Sequence, residues 1–336
     1  MTRATRAGER IPLNTWAIPF GLAGLAETWT AVGRTLDWPR WPTDLLWAVA
    51  AAAWVWMLLA HLHRGIVTGR SLTEQLRHPV QGPIAALVPV VAILLGVAIA
   101  PYSTSTSHVV VAVAIATTTL FAGWFVGRVL TGGIPVDAVH GGYFLPTVAG
   151  GYLAAYAAAL AGWRTLAMGD LTLGTLGWII TLAVLTSRLA TRPPLPEPLV
   201  PTLAIIMAPP AVGGLAWFAL NPGEIDGVQA GLGVVLVVML LAQAVLVPRY
   251  VRLKFSLGFW SFTFSFAAVT TYGVDWIDAT DLEPRTALVL ALGSVTAILV
   301  LAIAARSLLA LRHAPRGTGT TVVETALERA DELAGR

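Results

Sequence analysis

The chain has 336 residues, of which 56% are hydrophobic and 12% charged, about half the charged share of a soluble domain. Its 21 Lys and Arg stand against 18 Asp and Glu, giving a formal net charge of +3, and the mean hydropathy is +0.74. These values exclude a soluble globular domain, and the absence of cysteine excludes disulfides, thiolate metal sites and cysteine nucleophiles.

Apolar stretches of roughly 20 residues, each long enough to cross ~30 Å of hydrocarbon, predict an all-α membrane domain at 14–311. Its ten spans fall at 14–33, 43–62, 83–100, 107–130, 142–163, 171–190, 200–220, 227–247, 256–276 and 286–311. Residues 1–13 form a basic N-terminal segment and 312–336 a tail. Pro19, Gly21, Gly24 and Glu27 lie within the first apolar run, which therefore reads as a span and not as a cleaved signal.

Ten spans alternate the loops between two sides, and Lys and Arg accumulate in cytoplasmic loops. Of the 21 basic residues, only Arg34, Arg40, Arg164 and Arg285 fall opposite the N-terminus. Both termini are therefore expected in the cytoplasm, with the chain in the cytoplasmic membrane. Asp37, Asp170, Glu224, Asp226, Asp275, Asp278, Asp281 and Glu283 gather on the outer side, so the high isoelectric point belongs to the inner loops and implies no nucleic-acid partner. Trp16, Trp29, Trp41, Trp163 and Trp276 sit at span ends, where amphipathic rings favour the interface with the lipid bilayer.

Ten spans make five hairpins, and odd and even spans differ. Span one reads IPFGLAG around Pro19, span three GPIAALVP around Pro83 and Pro89, span five YFLPTVAGG around Pro146, and span seven holds Pro209 and Pro210. Even spans carry no interior proline. Proline removes a helical hydrogen bond and kinks the helix, and the freed carbonyl needs a partner or a water-lined cavity. The prolines recur at intervals of about 60 residues, consistent with a degenerate hairpin repeat or with the general abundance of Pro and Gly in membrane helices.

Span nine, SLGFWSFTFSFAAVTTY, has no proline. At 100° per residue, Phe255, Phe259, Phe262 and Phe266 form one stripe, while Phe264 shares the opposite face with Leu257, Trp260, Ala267, Ala268 and Thr271. A lone large ring among small residues projects into open space or fills a groove between helices.

The stretches IPFGLAGLAETW (18–29), HPVQGPIAALVP (78–89), HGGYFLPTVAGG (140–151), APPAVGG (208–214), NPGEIDG (221–227) and GFWSFTFSFA (258–267) resemble, in this order, the tellurite-resistance/dicarboxylate-transporter family. That family includes the bacterial TehA proteins, fungal malate and sulfite transporters and the plant slow anion channels. The resemblance implies a quasi-five-fold ring of hairpins, a central pore lined by the odd helices, and a homotrimer with one pore per subunit. It also implies a phenylalanine plugging each pore, at Phe264 in this sequence. Candidate pore-lining or kink positions are Ala17, Pro19, Gly21, Pro89, Tyr143, Pro146, Thr147, Pro209, Pro210, Trp260, Ala267, Ala268 and Thr271. TehA relatives have a glycine where Ala17 stands, which bears on pore width at that level. The long regulatory termini of the plant channels have no counterpart here, so kinase gating is not expected.

The odd spans are nearly free of ionisable groups. Glu27 is the exception and reads as an interfacial, helix-pairing or functional carboxylate. Polar groups open to a pore are hydroxyls: Thr15, Thr28, Tyr143, Thr147, Tyr152, Thr202, Ser261, Thr263, Ser265 and Thr271. Hydroxyl donors partly replace the hydration of an anion without holding it fast. The six histidines sit at helix ends or in loops, no HExxH motif is present, and the sole lysine, Lys254, is in a basic loop. No enzyme, metal site, haem, retinal or other cofactor is expected. RPPLPEP (192–198) reads as a stiff connector, and Thr321 with Glu324 caps a tail helix that is either solvated or partner-docking. The expected function is passage of monovalent anions, oxyanions or small dicarboxylates. The alternatives are coupled export of sulfite, malate or tellurite-type oxyanions, and a non-transporting scaffold or sensor.

Overall fold

The computed structural model describes residues 10–69, 71–223 and 225–313, so the tail at 321–336 and its capping box lie outside the described residues. All ten predicted apolar segments are helical, and no strand occurs among the described residues. The α-helices are α1 (Ala17–Thr35), α2 (Trp41–Thr68), a short α3 (Leu72–Arg77), α4 (Leu87–Ile99), α5 (Thr104–Leu130) and α6 (Gly150–Leu160). They continue with α7 (Arg164–Thr191), α8 (Ala208–Leu220), α9 (Gly227–Tyr250), α10 (Trp260–Thr280) and α11 (Arg285–His313).

Helix ends move where hydropathy and hydrogen bonding part company. α2 runs on past the apolar stretch, through His61 and His63, until Gly69 takes a left-handed φ of +62° and stops it. Both histidines are thus inside a helix and not at its end. α7 begins earlier than its apolar stretch, at Arg164, which places Asp170 within the helix. α9 continues to Tyr250 and takes in Pro248, so an even helix does hold a proline, although only in its last turn. Asp226 starts α9 by accepting from the Val228 and Gln229 amides at 2.9 Å.

The prolines of the odd segments mark a change of helix type. A 3₁₀ turn at Leu13–Trp16 precedes α1, another at Gly82–Ala86 precedes α4, and Gly141–Phe144 with a π turn at Leu145–Ala149 precedes α6. Glu197–Met207 precedes α8, and Leu257–Phe259 precedes α10. Pro19, Pro89, Pro209 and Pro210 fall in the first turn of the α portion, where an amide hydrogen has no intrahelical acceptor and its loss costs little. Neighbouring helices supply donors to inner carbonyls: Trp54 of α2 donates to Val88, Ser107 of α5 to Gly96, and Gln229 and Gln243 of α9 to Gly214 and Leu203, at 2.7 to 3.1 Å.

Among the described residues, eight helices are long and apolar enough to cross a membrane. They fall into two groups. Gly82–Ile99, Gly141–Leu160 and Glu197–Leu220 bury 61 to 83% of their most apolar stretch, whereas α2, α5, α7, α9 and α11 bury only 11 to 33%. The latter turn residues such as Trp56, Leu120, Ile180, Val245 and Ile298 outward, as a lipid-facing layer does. α1 and α10 stand outside the set of eight, because Glu27, Arg34, Asp275, Asp278 and many Ser and Thr lower their hydropathy. They are nevertheless inner helices, with 11 of 19 and 12 of 21 residues buried. Each inner helix packs on the outer helix that follows it. The inner helices also contact one another in the order α1, α4, α6, α8, α10 and back to α1.

α1 and α10 approach closely through glycine. A Cβ at Gly21 would sit 2.0 Å from Thr263 Oγ1, and one at Gly24 would sit 2.9 Å from Phe264 Cδ2. Thr28 and Thr271 share a hydrogen bond of 3.0 Å one turn further along. The predicted aromatic stripe forms as a run of contacts that enters α10 from the segment before it, with centroids 5.2 Å apart for Phe255 and Phe259, both ahead of α10, 5.7 Å for Phe259 and Phe262, and 6.4 Å for Phe262 and Phe266. Tyr250 meets Phe262 edge-on at 4.9 Å.

Candidate functional site

The inner helices enclose two cavities. The larger, about 330 Å³, lies at their N-terminal ends, and its walls are largely apolar: Phe20, Ile84, Leu87, Phe144, Val148 and Leu257 contribute. Asn14, Gln81, His140, Tyr152, Thr202, Ser256, Ser261, Ser265 and Ser307 bring polar groups to it. The smaller, about 20 Å³, takes residues from all five inner helices: Gly24 and Glu27 of α1, Leu94 of α4, Leu153 and Tyr156 of α6, Val212 and Leu215 of α8, and Phe264, Ala268 and Thr271 of α10. Phe264 lines both, with only Val212 doing the same.

The Phe264 side chain is buried and held on two sides. Its ring stacks on Phe20 at a centroid distance of 3.6 Å and an interplanar angle of 14°, and Gly24 leaves room for its edge. The helical wheel of α10 alone left this ring without an aromatic neighbour. The missed partner is Phe20, next to Pro19 in the first motif.

The other candidate positions divide. Ala17, Pro209 and Trp260 line the larger cavity, and Ala268 and Thr271 the smaller. Pro19, Gly21, Pro89, Pro146, Pro210 and Ala267 line neither. Gly21 packs on Thr263, and Ala267 presents its carbonyl to Thr28. Tyr143 donates to the Pro79 carbonyl at 2.7 Å and meets Phe125 edge-on, and Thr147 lies against Gly177 of α7.

Several polar groups of the larger cavity are committed elsewhere. Thr202 donates to Leu199, and Ser265 to the Ser261 carbonyl. His140, fully buried just ahead of Gly141, accepts from the Gly142 amide through Nδ1 and so donates from Nε2 to the Val80 carbonyl, both within 3.0 Å. Burial pushes its pKa down to about 4, with Arg188 and His78 adding to the shift. It is a neutral structural clamp on the loop before the inner helix. Among the described residues no three His, Asp or Glu gather as a metal site.

The two cavities meet at Phe264 and Val212, and the smaller is walled by all five inner helices. A family model described as SLAC1, voltage-dependent anion channel, matches residues 10–308. The chain belongs to this family. It is similar to the tellurite resistance protein TehA homolog of Haemophilus influenzae, 26% identical over 263 residues that cover 77% of this chain and 79% of that protein. It is also similar to the guard cell S-type anion channel SLAC1 of Arabidopsis thaliana, 24% identical over 154 residues, or 46% of this chain and 28% of that protein. The stretch matched in the plant channel is thus less than a third of its length. Membership in the SLAC1 family makes this chain a multi-pass membrane protein of an anion-transporting class, a class of channels and transporters and not of enzymes.

Proposed function

We propose that the chain passes small anions across the cytoplasmic membrane through a central pore whose gate is Phe264. In this reading ten spans form five hairpins in a quasi-five-fold ring, with α1 and α10 added to the eight apolar helices. The closed circuit of contacts among the five inner helices supports the ring. The single observation that carries the gate is that Phe264 lines both cavities among the inner helices. Both termini lie in the cytoplasm, a placement supported by the segregation of arginine, and the unit is a homotrimer in which every subunit has its own pore.

The groups on the path are neutral donors and apolar surface, apart from Glu27. Such a path suits passive movement of monovalent anions better than tight binding. A coupled exporter of sulfite, malate or tellurite-type oxyanions is the second reading; its tellurite arm is favoured by the likeness to a tellurite resistance protein of Haemophilus. A scaffold or sensor would not need a cavity walled by all five inner helices.

The test is anion flux in proteoliposomes, screening chloride, nitrate, sulfite and malate with and without a pH gradient. Flux independent of the gradient and raised by Phe264→Ala supports the channel. Flux that demands the gradient supports the coupled exporter, and absence of flux in every condition refutes both. Native mass spectrometry in mild detergent should give three subunits, and a stable conducting monomer would remove the trimer from the proposal.

A further inference from the structure

The cavity-lining residues of α1 and α6 each follow one helical stripe: Ala17, Phe20, Gly24 and Glu27 on α1, and Tyr152, Leu153 and Tyr156 on α6. Glu27 lies three residues beyond Gly24, so its Cα is about 4.5 Å further along α1 than the glycine that meets the Phe264 ring. At that level Tyr156 donates to Glu27 Oε1 at 2.5 Å.

α1 and α6 are not neighbours in the circuit of inner helices, since α4 stands between them one way round and α8 and α10 the other. Other hydrogen bonds among the inner segments join neighbours. Thr28 and Thr271 link α1 to α10, and the Leu13 amide donates to Gln81 between the turns ahead of α1 and α4. A bond between helices that are not neighbours crosses the interior of a ring instead of sealing its wall. Both partners line the smaller cavity, as does Leu94 of the intervening α4, and the space left there is about 20 Å³, enough for about one water.

We infer that the bond from Tyr156 to Glu27 is a second gate, in series with Phe264, which opens when a passing anion takes the Tyr156 hydroxyl from Glu27. The inference rests on the proposed passage through the inner helices. A phenol has a single O–H to donate, so while Glu27 accepts it the hydroxyl cannot solvate an ion. An anion in the chamber offers a competing acceptor, and the exchange both breaks the latch and replaces part of the ion's hydration. The latch requires no particular charge on Glu27, because a carboxyl oxygen accepts in either protonation state. The two gates differ in kind: Phe264 closes by bulk, and its truncation leaves the polar latch in place.

The experiment measures chloride flux in proteoliposomes on the Phe264→Ala background. Adding Tyr156→Phe, which removes one oxygen and keeps the ring, should raise flux a further fivefold or so, about the worth of one hydrogen bond. Glu27→Ala removes the acceptor from the other helix and should also raise it, whereas Glu27→Gln, whose amide oxygen still accepts, should raise it less. Ser107→Ala is the control, because it deletes a buried 2.7 Å bond to the Gly96 carbonyl of α4 and lines neither cavity. If Phe264→Ala conducts and Tyr156→Phe adds nothing, the latch is overturned and the passage stands. An equal gain from Ser107→Ala also overturns the latch, since loosening an inner helix from outside the ring would then suffice. Should Tyr156→Phe fail to fold, equal flux in Glu27→Ala and Glu27→Gln overturns it. A closed Phe264→Ala that conducts once Tyr156→Phe is added makes the latch the tighter of the two gates. If neither conducts while folded and monodisperse, the passage is refuted and the latch with it.

Discussion

The Phe20 and Phe264 rings lie face to face, 3.6 Å between centroids and 14° between planes, although they come from helices at opposite ends of the chain. The proposed plug is therefore a pair of rings from two helices, with Phe264 the one that reaches both cavities.

Phe264→Ala should raise anion flux by about tenfold or more, since one tenfold step is only about 1.4 kcal/mol of barrier. Phe20→Ala should raise it less, because it removes the ring that steadies the plug while leaving Phe264 in place. Each loses a stacking contribution of about 0.5–1.5 kcal/mol beyond its buried area. Proteoliposome flux of the two single variants and the double variant measures this. A plug made by Phe264 alone would leave Phe20→Ala at the parent rate.

Phe262→Ala is the control. That ring packs on Tyr250, Phe259 and Phe266 and lines neither cavity. Its truncation should cost about 3–5 kcal/mol in stability without a gain in flux. Thermal unfolding in detergent, read beside flux, separates the two behaviours. A gain in flux from Phe262→Ala would show that loosening α10 anywhere opens the path.

Gly21→Ala tests the close approach of α1 and α10. The added Cβ falls 2.0 Å from Oγ1 and 2.7 Å from Cβ of fully buried Thr263, a β-branched residue whose hydroxyl is already bonded to the Trp260 carbonyl. The helices must separate, at a cost of about 1–3 kcal/mol. The variant should melt earlier than the parent, and Gly123→Ala, where nothing lies within 4 Å of the new methyl, should not.

His140 makes stability depend on pH. With the pKa at about 4 in the folded chain and 6.5 as the unperturbed value, the unfolded chain binds a proton in the interval between them and the folded one does not. The contribution is complete above 6.5 and is lost as pH falls toward 4, a loss of about 3 kcal/mol. The melting temperature should drop over that interval in the parent and drop less in His140→Gln.

Reporter fusions at Arg164 and after Glu283 should report the outer side. A cytoplasmic signal at either position would refute the ten-span arrangement with both termini inside.

How much of this was legible depended on how local each signal is. The contacts among Phe259, Phe262 and Phe266 are local and followed from periodicity alone, and Phe255 joins them from the stretch ahead of the Leu257–Phe259 turn. The face carrying Phe264 followed in the same way, but its contact with Phe20 did not, because nothing in a helical wheel reports which distant helix packs there. Glu27 stood out as an intramembrane carboxylate, yet its place in the wall of the smaller cavity and its Tyr156 partner needed the inner helices in position. The prolines announced a break in the hydrogen-bond ladder. That the break is a passage from 3₁₀ to α, present before α10 without any proline, depends on tertiary packing. Hydroxyls identify possible solvating groups, but Tyr143 is used by Pro79 and Thr147 by the contact with α7.

The Arg34 to Asp275 bridge bears on how the molecule is made. With α1 and α10 as spans, each carries charges that a bilayer admits reluctantly, and these two helices hold charges that neutralise one another at 2.5 Å. α1 leaves the ribosome first, and its partner follows 241 residues later. During that interval Arg34 has no counter-charge from α10, and the first helix is held by α2, α4 and the Tyr156 hydrogen bond from α6. Final seating of the first span is thus tied to synthesis of the ninth, and a chain truncated before Trp260 should be retained poorly in the membrane even though most of its apolar helices are complete.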